Sequence, residues 1–145
     1  MANQRFDRGV QAEEKRVNFK QSKRQMKQIT LHGVSLQISA SECWYVMDEA
    51  RREKTYTPSK DQINHDIGVY IFWGWNDKPI RIGKAVKTRN RVLAYGNSIY
   101  GSLPEVIDNS QYVSYIRCEN KSISARLEVD LIREYKPVYN DHLYQ

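Results

Sequence analysis

Residues 68–85, GVYIFWGWNDKPIRIGKA, have the pattern of two β-strands joined by a tight turn. GVYIF is rich in β-branched and aromatic residues, WNDKP contains residues that favour turns, and IRIGKA returns as the second strand. The longest apolar run, 67–75, contains two glycines and is far shorter than the roughly 18 residues of a membrane-spanning helix. The stretch therefore predicts a core hairpin. Arg81 breaks its pattern, because the alternation would take an aromatic residue there.

The chain after this hairpin predicts one more strand and two helices. RNRVLAY, with Thr88 as N-cap and Gly96 as C-cap, predicts a short helix. A loop at 97–110 leads to the strand 112–118, and an apolar i, i+4 stripe predicts a last helix that starts at Ser122 and ends before Pro137. The order β-β-α-β-α indicates an α+β fold, with a small three-stranded antiparallel sheet flanked by helices.

The N-terminal half has weaker patterns. Residues 11–28 have helix-favouring composition with few apolar anchors, 28–39 alternate as a strand or hairpin around Gly33, and 42–54 repeat apolar residues at helical spacing. We therefore expect three regions: a basic helical arm at 1–30, a strand and helix extension at 31–66 that packs on the core, and the core itself at 67–145.

Charge and cysteine content limit the classes of partner and compartment. The net charge is +6, and residues 1–30 hold eight Lys/Arg against three Asp/Glu. This excess favours a polyanionic partner, although a solvated basic helix has the same composition. The start of the chain lacks a secretory pattern, and Cys43 and Cys118 have no metal-type spacing. We expect a cytoplasmic protein with two reduced thiols and no membrane partner.

Five polar residues of the second half are informative as a set: Tyr70, Lys84, Arg91, Glu128 and Asn140. Taken singly they have ordinary interpretations, as a core tyrosine, two solvated cations, a surface carboxylate and a turn residue. Together they could hydrolyse a phosphodiester. The carboxylate would hold Mg²⁺, the cations would neutralise the phosphate, and the phenol would relay a proton from water.

The motifs GVY, RIGKA, RNR and LEVDLIREYKPVYN, in this order over residues 68–140, resemble the GIY-YIG nuclease family, and the last of them resembles UvrC-type repair nucleases. The resemblance implies a Mg²⁺-dependent DNA endonuclease, with Mn²⁺ as an alternative ion. It implies that Tyr70 is the general base and that Glu128 holds the metal. Lys84 would lower the pKa of the phenol or contact phosphate, Arg91 would bind the scissile phosphate, and Asn140 would support the site.

Arg81 is a departure from the family, because the second motif tyrosine falls on this position. A guanidinium could bind phosphate or lower the pKa of Tyr70, but it cannot accept a proton. We therefore keep two alternatives to the nuclease. One is a non-catalytic nucleic-acid-binding module with VYIFWGW as a stacking surface, although core packing explains that strand as well. The other is a regulatory protein that reuses the fold.

DNA contacts are expected mainly from the basic arm, since Lys and Arg contacts with phosphate supply most non-specific affinity. The compact chain looks similar to phage or restriction-type members, acting in a bacterial or phage-infected cell, and a homodimer on DNA is one way to cut two strands. The predicted DNA-binding residues are Lys15, Arg16, Lys20, Lys23, Arg24, Lys27, Lys87 and Arg89.

Overall fold

The computed structural model describes residues 25–50, 67–96 and 103–143. The strands are β1 (Lys27–Leu31), β2 (Val34–Ile38), β3 (Cys43–Tyr45), β4 (Gly68–Gly74), β5 (Pro79–Ala85) and β6 (Ser110–Arg117). The α-helices are α1 (Val46–Glu49), α2 (Thr88–Gly96), α3 (Leu103–Asn109) and α4 (Lys121–Tyr135), and 3₁₀ helices span Ala40–Glu42 and Val138–Leu143. None of these helices is long and apolar enough to cross a membrane.

The main sheet confirms the predicted β-β-α-β-α core and enlarges it. Its four strands are antiparallel in the order β3-β6-β4-β5, so β4 lies between its hairpin partner β5 and the later strand β6. The expected sheet had three strands. The fourth is Cys43–Tyr45, which we had predicted to be helical, and which pairs with β6 from Ser114 to Tyr112. Pairing with an open edge outweighs the local helical pattern.

Two further local predictions need correction. The loop expected at 97–110 contains helix α3, in whose first turn Pro104 is tolerated because that N–H has no helical partner. Helix α4 begins at Lys121, one residue before the predicted start at Ser122, and its N-cap Asn120 accepts a hydrogen bond from the backbone N–H of Ile123. Helix α4 ends as predicted before Pro137, with Lys136 in the left-handed conformation at φ 46°.

The N-terminal hairpin confirms the prediction around Gly33. β1 and β2 pair antiparallel, and the two turn residues His32 and Gly33 have positive φ angles of 52° and 77°, as tight hairpin turns require. Lys27 and Gln28 belong to β1 and not to the predicted helix, of which residues 11–24 lie outside the described part of the chain.

The sheet separates two apolar clusters, because successive strand residues point to opposite faces. On one face Val69, Ile71 and Ile82 pack with Leu131 and Ile132 of α4. On the other face lie six buried side chains from the strands and α2: Tyr70, Phe72, Val113, Tyr115, Val92 and Tyr95. We call the first the α4 face and the second the α2 face.

Both cysteines are buried and free, as expected. Burial raises the pKa of each thiol. For Cys43, the hydrogen bond with the Ser114 hydroxyl acts in the opposite direction, but its effect is smaller than that of burial. The two side chains therefore behave as small core residues.

The outer edge of β5 is closed by one side chain. The Asn140 amide accepts a hydrogen bond from the backbone N–H of Ile82 at 2.9 Å and donates one to its carbonyl at 2.8 Å. Asn140 is 1% exposed, so these groups have little access to water. The amide thus takes the place that a neighbouring strand would have, and it fixes the 3₁₀ helix Val138–Leu143 to the sheet.

Replacing Asn140 with alanine should lower the free energy of unfolding by about 2 to 4 kcal/mol, because it leaves a buried N–H and C=O without partners. Urea denaturation followed by circular dichroism measures this change. The matched control is Asn109→Ala, which also removes hydrogen bonds to a backbone carbonyl and to the C-terminal segment, but at an exposed position. It should cost less than about 1 kcal/mol. Equal losses in the two variants would contradict the role assigned to Asn140.

Candidate active site

Tyr70 lies at the middle of the α2 face, and its ring covers the backbone of β5. It pairs with Gly83 on one side and Tyr115 on the other. A Cβ atom at position 83 would lie 2.2 Å from the Tyr70 hydroxyl oxygen and 2.3 Å from Cζ. The motif glycine is therefore required because the phenol occupies the space of any larger side chain. Gly68 has a similar reason, since a Cβ there would lie 2.1 Å from the carbonyl oxygen of Ile116.

The Tyr70 hydroxyl takes part in a chain of hydrogen bonds. Its oxygen lies 2.7 Å from the hydroxyl of Tyr95 on α2. Arg81 Nε donates to the same Tyr95 oxygen at 3.0 Å, and Arg81 Nη1 donates to the carbonyl oxygen of Tyr139 at 2.9 Å. Arginine can only donate, so one lone pair of the Tyr95 oxygen is occupied. The second lone pair and the hydrogen of the Tyr95 hydroxyl allow either tyrosine to be the donor in the bond between them.

The environment of Tyr70 controls its protonation. Burial raises the pKa of the Tyr70 phenol, and the adjacent Tyr95 raises it further, whereas the positive charges of Arg81 and Arg91 act to lower it. Tyr70 is 2% exposed, so burial is the larger effect. The phenol is therefore protonated at neutral pH, and nearby positive charge is what would stabilise its anion.

The predicted catalytic residues do not all lie on one face. Tyr70 and Arg81 belong to the α2 face, and the Arg91 guanidinium, exposed on α2, is within electrostatic reach of the phenol. Lys84 pairs with Val69, so strand alternation directs it to the α4 face. The register thus does not support the predicted action of its ammonium on the Tyr70 phenol, and the alternative contact with phosphate stays a prediction.

Glu128 and Asn140 have different positions from the tyrosine pair. Glu128 is half-buried on α4, whose apolar side chains Leu127 and Leu131 pack on the α4 face. Asn140 is bonded to the backbone of β5 at Ile82. It therefore positions the strand that carries Arg81 and Gly83, and does so through hydrogen bonds with the main chain.

A metal ion bound by the described residues would have few protein ligands. Among residues 25–50, 67–96 and 103–143, no three His, Cys, Asp or Glu side chains are grouped as a ligand set. Magnesium fits such a site, because it is commonly held by one or two carboxylates, with water and substrate phosphate completing six oxygen ligands. The Glu128 carboxylate is a donor of this kind.

Of the predicted DNA contacts, five lie outside the described residues: Lys15, Arg16, Lys20, Lys23 and Arg24. Lys27 is 6% exposed, forms an ion pair with Asp77 and lies over the Tyr112 ring, so its charge is used inside the fold. Arg89 is bonded to Glu49 and is likewise occupied. Lys87 is exposed just before α2, which suits a phosphate contact.

Sequence reasoning missed Tyr95 and Glu49. Tyr95 follows Arg91 by four positions on α2, and this spacing places two side chains on the same side of a helix. That spacing, beside a predicted phosphate-binding arginine, is the signal that could have identified Tyr95. Glu49 had no comparable signal, because its contacts with Arg89 and Tyr115 join residues 40 and 66 positions apart.

Comparison with known proteins shows which family the second half of the chain resembles. Residues 66–141 match the family model described as UvrC-like GIY-YIG domain. UvrABC system protein C of Pseudothermotoga lettingae is 38% identical over 77 residues, which are 50% of this chain and 14% of that protein. The Aquifex aeolicus protein of the same name is 41% identical over 75 residues, which are 50% of this chain and 13% of that protein. The chain thus spans a small part of these relatives.

Among solved structures, the GIY-YIG N-terminal endonuclease domain of UvrC from Thermotoga maritima, bound to its catalytic magnesium, is 31% identical. The match covers 56% of this chain and 93% of that chain, with a TM-score of 0.49.

Replacing Gly83 with alanine should lower the free energy of unfolding by about 3 kcal/mol, because the new methyl group displaces the Tyr70 ring. The control in the same hairpin is Gly74→Ala, whose Cβ would lie 3.0 Å from Ile80 Cγ2 and 3.1 Å from Asn76 Oδ1. These contacts can relax, so the control should cost about 1 kcal/mol or less. If urea denaturation shows Gly83→Ala to be as stable as Gly74→Ala, the contact between phenol and glycine is not a constraint on the fold.

Proposed function

The chain belongs to the UvrC-like GIY-YIG family, whose model covers residues 66–141, and on this premise we propose that it is a divalent-metal-dependent endonuclease that hydrolyses phosphodiester bonds of DNA. The observation that carries the proposal is the chain of hydrogen bonds from Arg81 through Tyr95 to Tyr70. A buried phenol with an ordered donor and two nearby cations is suited to accept and pass on a proton.

Tyr70 is proposed as the general base. Tyr70 would first release its own proton to solvent, leaving a phenolate stabilised by the positive charges of Arg81 and Arg91. This phenolate would then take the proton of the attacking water and return to the neutral phenol. Arg81 polarises Tyr95 from the far side, because its Nε donates to the Tyr95 oxygen. In this scheme Arg81 replaces the family's second tyrosine with a fixed positive charge that favours the phenolate but cannot itself take the proton.

Arg91 and Lys84 are proposed to bind phosphate from their exposed positions on α2 and β5. Glu128 is proposed as the protein ligand of Mg²⁺, since a single carboxylate with water and phosphate suits this ion. When bound, Mg²⁺ supplies a Lewis acid for the phosphate oxygens and lowers the pKa of coordinated water. The Thermotoga maritima domain named above binds magnesium as its catalytic cation, which agrees with this choice.

The predicted cytoplasmic location, the phage or restriction-type setting and the homodimer on DNA stay predictions. The relatives described above are UvrABC system proteins, and they lend no support to a phage origin. The predicted arm at 1–30 likewise stays a proposed source of DNA contacts, and its residues 1–24 lie outside the described part of the chain.

A non-catalytic nucleic-acid-binding module is the second candidate, and Arg81 is the observation that favours it. A guanidinium in place of a tyrosine is one more cation for phosphate. Its other predicted element is the stacking surface VYIFWGW, in which Tyr70, Phe72 and Trp73 are at most 3% exposed and Trp75 is partly exposed. This candidate therefore relies mainly on cations.

Supercoiled plasmid should be nicked or linearised by the wild type in Mg²⁺ and left intact in EDTA. Glu128→Gln should lower the cleavage rate by about 100-fold, because the glutamine amide is a weak ligand for Mg²⁺. The control Glu134→Gln removes an exposed carboxylate from the same helix and should leave the rate within about twofold. Agarose gels measure both. If the wild type retards plasmid on a gel without cleaving it over a range of metals, the binding module is correct and the nuclease is not.

The cleavage rate should rise about tenfold per pH unit from pH 6 to 8, since a phenol with a raised pKa exposes more base as the pH increases. Arg81→Gln should lower the rate about tenfold at every pH in this range, because loss of this positive charge raises the pKa of Tyr70 further and leaves less phenolate. Arg81→Lys keeps the charge and should have an intermediate rate. Arg81→Tyr should also be slower than wild type. A faster Arg81→Tyr enzyme would mean that the arginine weakens a family-type site instead of serving it.

A further inference from the structure

A buried carboxylate outside the family-matched region lies beside the candidate site. Glu49, the last residue of α1, is 2% exposed. Its Oε1 accepts from Arg89 Nη2 at 2.6 Å, and its Oε2 accepts from Arg89 Nε at 3.0 Å and from the Tyr115 hydroxyl at 2.6 Å. A two-point arginine pair with a third donor fixes the geometry of all three side chains.

The partners of Glu49 connect the N-terminal segment with the α2 face. Arg89 is the second residue of α2, and its guanidinium also lies 4.3 Å from the centre of the Trp44 ring. Tyr115 is on β6, directly opposite Tyr70 of β4. Strand β3 and helix α1 therefore contact the first turn of α2 through the Arg89 guanidinium. Helix α1 also contacts Tyr115, the strand neighbour of Tyr70, through the Tyr115 hydroxyl.

Helix α2 carries two residues of the proposed mechanism. Arg91 lies two positions after Arg89, and Tyr95 lies within hydrogen-bond distance of Tyr70 and Arg81. A helix of nine residues fixed at its first turn has little freedom to rotate or slide. The placement of Arg91 and Tyr95 thus depends on the pair between Arg89 and Glu49.

We propose that Glu49 is a positioning residue for phosphodiester cleavage, which acts through Arg89 to hold helix α2, and with it Arg91 and Tyr95, against the Tyr70 phenol. Residues 43–49 then belong to the working site, although the family match begins at residue 66. The catalytic part of this inference rests on the proposed function, whereas the placement of α2 can be measured without it.

The structure offers a matched control for Glu49. Glu42 also joins the N-terminal segment to the sheet, through an ion pair with Arg117 of β6 at 3.0 Å, but this pair does not involve α2. Glu49→Gln and Glu42→Gln therefore each remove one carboxylate from the same segment. Only the first should affect α2.

The experiment uses the full chain and two measurements, plasmid cleavage and amide hydrogen exchange. Glu49→Gln should lower kcat about tenfold and leave KM for plasmid within twofold. The reason is that misplaced side chains stabilise the transition state less well, whereas binding of the substrate changes little. Exchange should accelerate in α2 (Thr88–Gly96) and stay at the wild-type rate in α4 (Lys121–Tyr135). Glu42→Gln should match the wild type in both measurements.

Arg89→Gln should reproduce the effects of Glu49→Gln, and the double variant should be no worse than either single variant. Arg89→Lys should recover part of kcat.

Two results would overturn the inference. One is wild-type exchange in α2 together with wild-type kcat in Glu49→Gln. The other is faster exchange in α2 and α4 alike, since Glu49 would then stabilise the whole fold without positioning α2. If the wild type cleaves no plasmid, the proposed function fails on its own, and exchange in α2 still decides whether Glu49 positions the helix.

Discussion

The contact between the Tyr70 ring and the backbone of Gly83 is the constraint on which the rest of the site depends. It can form only where β5 has no side chain, and it sets the phenol oxygen beside Tyr95 and within reach of Arg81. Asn140 holds β5 from the outside, so the strand under the ring is fixed on both edges. Gly83 and Asn140 thus both fix the part of β5 that lies under the Tyr70 ring.

Local patterns were enough to predict the β4–β5 hairpin, both major helices and strand β6, because turn residues, caps and apolar spacing act over a few positions. They were not enough for β3, since the pairing of Cys43–Tyr45 with β6 joins residues about 70 positions apart in the chain. The motif led to Tyr70 and Arg81, which the structure places on the same face of the sheet. Lys84 lies next to the glycine in sequence, so strand alternation directs it to the opposite face, and its predicted phosphate contact stays a prediction. Tyr95 was missed because its hydrogen bonds with Tyr70 and Arg81 become visible only when the helix and the two strands are packed together.

The region that matches the family model is shorter than the folded unit of the structure. Residues 43–49 precede the matched region, yet they add a strand to the sheet and a buried carboxylate to the α2 face. Arg81 is a second feature of note, because it places a fixed cation, bonded to Tyr95 and Tyr139, at the position where the motif predicts a tyrosine. Both features act on the same helix and the same hydroxyl pair. In this chain, residues outside the matched region therefore contribute contacts to the side chains of the motif.

The amide of Asn140 also bears on how copies of the chain could associate. Sheets commonly join through their free edges, where unpaired N–H and C=O groups accept another strand. At the β5 edge, the groups of Ile82 are already bonded to Asn140, and at the opposite edge β3 is only three residues long. Among the described residues, neither edge of the four-stranded sheet offers a long row of free backbone groups, which disfavours edge-to-edge aggregation through this sheet. An interface between two copies at the four-stranded sheet would then use side chains and helices more than backbone pairing.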